Sequence, residues 1–108
     1  MHDFSGDTLA KLRLALRDFA AARNWQPFHT PKNLAMALSV EAAELLEHFQ
    51  WLTPEECTAI TPAQRREIAH EMADVLNYLV RLADVMGIDL AQAAEEKIEL
   101  NAKKYPPL

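Results

Sequence analysis

Glu71-Met72-Ala73-Asp74-Val75-Leu76-Asn77-Tyr78 places two acids three residues apart at the head of an otherwise apolar segment, continued by Leu79, Val80, Leu82, Ala83, Val85 and Met86. A helix that is apolar nearly all round is a buried helix, so this stretch predicts the central helix of the fold. Acids are rarely buried without something to compensate their charge. Glu71 and Asp74 therefore require a cation, a partner or raised pKa values. Glu41-Ala42-Ala43-Glu44 supplies a second pair, in a segment whose Leu34, Leu38, Leu45, Phe49 and Leu52 recur at helical spacing. Glu41 falls within that apolar stripe. Residues i and i+3 share a helix face, so each pair projects its carboxylates the same way, and packing the two helices together makes all of them converge. Left alone they would repel and take up protons. Around a hard divalent cation they supply the oxygen ligands that Mg²⁺, or Mn²⁺ in its place, prefers. The pattern predicts a metal site made of Glu41, Glu44, Glu71 and Asp74.

Outward from this centre the chain is punctuated by caps. Ser5 or Asp7 opens a first helix with Leu9, Leu12, Leu16 and Phe19 on one stripe, ending near Arg23 or Asn24, and Trp25 to His29 reads as a loop. Thr30-Pro31 starts a second helix expected to run to about Trp51. Thr53-Pro54-Glu55-Glu56 opens a short turn, and Thr61-Pro62-Ala63-Gln64 opens the central helix with a capping box. Gly87 stops that helix, Asp89 caps a last one, and Tyr105-Pro106-Pro107 ends it. No segment alternates as a strand does, which predicts an all-α fold with four main helices.

At 108 residues the chain is expected to form a single domain spanning 1–108, and at 50% hydrophobic it can pack one core. A formal charge of -5 argues against a nucleic-acid binder. The lone Cys57 excludes an internal disulfide and a zinc-cysteine cluster. With no membrane-length apolar run and no secretion signal, the expectation is a soluble, cytoplasmic protein without membrane partners. Leu90, Ala94, Lys97, Asn101 and Lys104 share a stripe that turns basic toward its end; spacing alone leaves open a solvated helix terminus or cations aimed at phosphates. Trp25 and Trp51 likewise read as core anchors or as stacking surfaces.

Several motifs together carry a family resemblance: the two acid pairs, Phe19-Ala20-Ala21-Ala22-Arg23-Asn24-Trp25, Phe28-His29, Pro31-Lys32-Asn33-Leu34, Glu44 through Trp51, and Lys97-x-x-x-Asn101-x-x-Lys104-Tyr105-Pro106. Over roughly residues 9 to 106 the chain resembles the MazG-like nucleoside triphosphate pyrophosphohydrolases, and within them the dCTP pyrophosphatase branch. The resemblance implies a four-helix MazG-like bundle completed by homo-oligomerisation, a tetramer rather than a dimer. It implies Mg²⁺ on Glu41, Glu44, Glu71 and Asp74, with hydrolysis of dCTP or a modified dCTP to the monophosphate and pyrophosphate. Metal then acts as Lewis acid and template, and Glu44 is the candidate to orient the water. It assigns Lys97, Asn101 and Lys104 to the phosphates, Trp25 and Trp51 with His29 to a pyrimidine base, and Tyr78 to the sugar or a phosphate.

Three competing readings remain. Glu67-Ile68-Ala69-His70 is one E-x-x-H, but a di-iron site needs two. A helical oligomerisation module would be indifferent to Mg²⁺, but it leaves Glu41 unexplained inside an apolar stripe. A relative within the same fold would take dUTP or another nucleotide.

Overall fold

The structure, a computed structural model, describes residues 6–108. Ser5, one of the two expected openings of the first helix, lies outside the described residues. Four α-helices follow in order: α1 (Thr8–Ala22), α2 (Pro31–Glu47), α3 (Pro62–Met86) and α4 (Leu90–Lys104), with short 3-10 turns at Gln26–Phe28 and Glu56–Ala59. Among the described residues there is no strand.

The ends are fixed by local hydrogen bonds. The Asp7 carboxylate accepts from the Ala10 N–H, the Thr30 hydroxyl from Asn33 and the Asp89 carboxylate from Gln92. Thr61 and Gln64 form a reciprocal capping box at 3.0 and 3.2 Å, leaving fewer helix-end N–H groups without partners. Thr53 and Glu56 repeat this reciprocal bonding at the shorter turn. Gly87 ends α3 in the left-handed region at φ 68°, where its N–H reaches the Ala83 and Asp84 carbonyls and a side chain would be strained. The second helix is shorter than its periodicity suggests: regular helix stops at Glu47 and the chain turns through His48 to Trp51. The Trp25–His29 loop contains the first 3-10 turn, held from α2 by the Asn33 side-chain amide donating to the Phe28 carbonyl at 3.0 Å.

The main packing is α2 against α3, with α1 laid on α3. Ala20, Leu34, Ile68, Val80 and Ala83 are the buried apolar residues. The expectation that α3 is enclosed all round is corrected here. Met72, Leu76, Val85 and Met86 are exposed, because only α1 and α2 pack extensively against it and α4 buries no residue. No helix among the described residues is long and apolar enough to cross a membrane.

Leu34 is 1% exposed, so Leu34→Ala should lower unfolding stability by about 2–5 kcal/mol through lost burial and a residual cavity. Urea denaturation followed by circular dichroism measures this; a midpoint equal to that of the parent chain would show that Leu34 is not part of the core.

Candidate active site

Both acid pairs stand where helical spacing puts them, and the packing of α2 on α3 decides which of them meet. One carboxylate oxygen from each of Glu41, Glu44 and Glu71 lies within 4.8 Å of the others. Glu41 Oε2 and Glu71 Oε1 are buried and have no hydrogen-bond partner. Burying an unpaired carboxylate oxygen is costly, and a cation is the group that this donor set suits. The cluster shows the same strain in its protonation. Glu41 is held above the ordinary carboxylate range, first by hydrogen bonding to the Glu71 carboxyl and then by burial. Glu44 is raised first by the same kind of pairing with Glu41, then by its charge. Oxygen ligands alone favour a hard divalent ion.

Asp74 follows one turn along α3 but is exposed, and it lines a neighbouring cavity of about 320 Å³ together with Leu16, Phe19, Trp25, His29, Asn77, Tyr78 and Arg81. Metal-capable cluster and cavity are thus joined through a single turn of α3. Trp25 and Phe19 form a T-shaped pair, ring centres 5.6 Å apart, and Trp25 is tilted to His29 at 6.1 Å. The Arg23 guanidinium covers the Phe19 ring at 3.5 Å. Three expected base- or sugar-contacting residues, Trp25, His29 and Tyr78, therefore share one partly apolar recess. Trp51 does not join them: it is 85% exposed, beyond the end of α2. Lys97, Asn101 and Lys104 are exposed on α4 and line neither this recess nor a second one of about 670 Å³ between the start of α1 and α4.

Sequence reasoning missed Arg81 and Asp84. Arg81 is buried and donates from Nε to His29 Nδ1 at 3.0 Å and from Nη1 to Asp84 Oδ2 at 3.0 Å. Arg17 from α1 grips both Asp84 oxygens, at 3.0 and 2.6 Å. This holds the Asp84 carboxyl below its usual range, against the opposing effect of burial. The imidazole of His29 is pushed down by burial and by the Arg81 charge. A cation and an anion three residues apart inside an apolar run was the signal available in the sequence.

The family model described as MazG-like matches residues 36–107, which include both acid pairs. The chain belongs to the MazG-like family. This MazG-like chain is 42% identical over 104 residues to dCTP pyrophosphatase 1 of Bos taurus, covering 94% of the chain and 62% of that protein. It is 42% identical over 101 residues to dCTP pyrophosphatase 1 of Homo sapiens, covering 92% and 59%. It thus spans less than two thirds of the length of these curated relatives. A solved pyrophosphatase from Archaeoglobus fulgidus superposes with a TM-score of 0.88 at 41% identity, covering 99% of both chains. Each comparison spans the carboxylate cluster of this MazG-like fold.

Glu41 and Glu44 bind protons further up the pH scale than ordinary carboxylates, so protons and a cation compete for the cluster. Adding Mg²⁺ to metal-free protein in weakly acidic, unbuffered solution should release protons, and affinity should rise as pH rises through these values. Potentiometric titration measures the release and calorimetry the binding; no binding heat and no release at millimolar ion would remove the cluster as a metal site.

Proposed function

We propose that this chain is a Mg²⁺-dependent nucleoside triphosphate pyrophosphohydrolase of the nucleotide pool, cleaving dCTP or a 5-modified dCTP to the monophosphate and pyrophosphate. The observation that carries this reading is the pair of buried, unpartnered carboxylate oxygens on Glu41 and Glu71, one turn of α3 from an aromatic recess. The names of the bovine and human relatives favour the same substrate.

In this reading Glu41, Glu44, Glu71 and Asp74 hold Mg²⁺, with Mn²⁺ as a substitute. When bound, the ion neutralises the triphosphate and acts as a Lewis acid at the phosphoryl oxygens. The chain's own residues do the rest. Glu44, exposed at the rim of the cluster, orients the attacking water and accepts its proton. The recess takes a flat pyrimidine against Trp25 and His29, and Tyr78 reaches the sugar or a phosphate. Lys97, Asn101 and Lys104 offer donors to phosphate oxygens, and Trp51 a second stacking face.

Residues 1–108 act as a single domain, and the chain works as a homo-oligomer, a tetramer rather than a dimer. Met72, Leu76, Val85 and Met86 on α3 and Ile98 and Leu100 on α4 leave apolar surface that a second copy would cover. The protein is cytoplasmic, and its partner is the nucleotide rather than nucleic acid or membrane.

The test is pyrophosphate release from a panel of deoxy- and ribonucleoside triphosphates, with Mg²⁺ and with EDTA. Mg²⁺-dependent turnover of dCTP above the others is expected, and Glu41→Ala or Asp74→Ala should abolish it with the helical spectrum unchanged. Trp51→Ala should raise KM while changing stability by no more than about 0.5 kcal/mol, as expected for an exposed side chain. Folded protein that releases pyrophosphate from no triphosphate would leave a helical binding or oligomerisation module as the better account.

A further inference from the structure

Arg81 is 8% exposed, on a stretch of α3 otherwise used for packing, and the chemistry assigned to the site so far gives it no role. A guanidinium carries donors only and does not lose its proton in proteins. The Arg81 Nε–H therefore obliges His29 Nδ1, 3.0 Å away, to be an acceptor. A neutral imidazole that accepts at Nδ1 carries its proton on Nε2. An imidazolium would set two donors against each other. The guanidinium has little freedom to turn away, because Asp84 holds Nη1 at 3.0 Å and is itself gripped by Arg17 from α1.

We propose that Arg81 is a positioning residue for base recognition: it fixes His29 as the Nε2–H tautomer, so that the imidazole offers one donor to an acceptor on the edge of a pyrimidine bound in the recess beside Trp25. This rests on the nucleotide reading of that recess. The charged or titratable groups around His29 there are Arg81, Asp74 and Tyr78 from α3, while α1 contributes Arg17 and Arg13 through Asp84. Because Nε2 donates, a ring nitrogen or carbonyl oxygen is matched and an amino group is not. The recess thereby selects which edge of the base faces His29, a discrimination that stacking alone does not supply.

A double-mutant cycle on the full chain tests this, with dCTP and Mg²⁺ and with ¹⁵N imidazole spectra of the ligand-free protein. Arg81→Lys should lower kcat/KM about tenfold, mainly through KM, as expected for one misplaced hydrogen bond. In a His29→Ala background the same substitution should change it by less than about twofold, because the effect passes through His29. The parent spectrum should show the Nε2–H tautomer, and Arg81→Lys a mixture. Equal losses in both backgrounds would overturn the proposal and leave Arg81 a structural residue, with the pyrophosphohydrolase reading intact. If Arg81→Lys does not fold, the parent spectrum decides: an Nδ1–H tautomer or an imidazolium near neutral pH overturns it. A parent chain that turns over no nucleotide would overturn both readings.

Discussion

Three glutamates are brought within 4.8 Å of one another where α2 packs on α3. Like charges at that separation repel, and one oxygen each of Glu41 and Glu71 is buried away from the water that would screen it. The proximity of the carboxylates raises the proton affinity of Glu41 and Glu44 above the ordinary carboxylate range. Folding therefore creates an affinity for positive charge, and the core residues that pack α2 on α3, Leu34 and Ile68 among them, fix where it appears. Ile68 precedes Glu71 by one turn of α3, so packing and chemistry share a helix and neither shifts without the other.

A second charged group serves a different purpose on the same helix. Asp84 is compensated within the chain by Arg17 and Arg81, whereas Glu41 and Glu71 each keep an oxygen without a protein partner. That contrast separates a structural anion from one poised for an external ligand. The Arg17–Asp84–Arg81–His29 network also ties α1, α3 and the loop before α2 together around the recess. A pocket wall made from three separate segments is thereby held in one arrangement, which base-edge recognition needs.

Met72, Leu76, Val85 and Met86 on α3 and Ile98 and Leu100 on α4 are large apolar residues that the chain leaves exposed. Lys97, Asn101, Lys104 and Trp51 stand on surfaces that one chain leaves outside both recesses. Trp51 at 85% exposure is no core anchor of the chain. Trp25, at 44% exposure, packs in a T-shaped arrangement with Phe19 and lines the recess.

Helix ends, helix number and the shared face of each acid pair were legible in the sequence. Thr30, Thr61, Gly87 and Asp89 act within a few residues of themselves, and i, i+3 spacing is a property of one helix. The extent of α2 was less legible, since the apolar stripe through Phe49 and Leu52 continues after regular helix ends at Glu47. Only the tertiary structure decided that Glu41, Glu44 and Glu71 come within 4.8 Å of one another while Asp74, near enough for its charge to act on Glu41, also lines the recess. It alone paired Arg81 with His29, 52 positions away in sequence, and Arg17 with Asp84, 67 away. It also left one side of α3 bare. These outcomes depend on how whole helices are set against one another, which is governed by packing between surfaces distant in the chain, and no local pattern encodes that register.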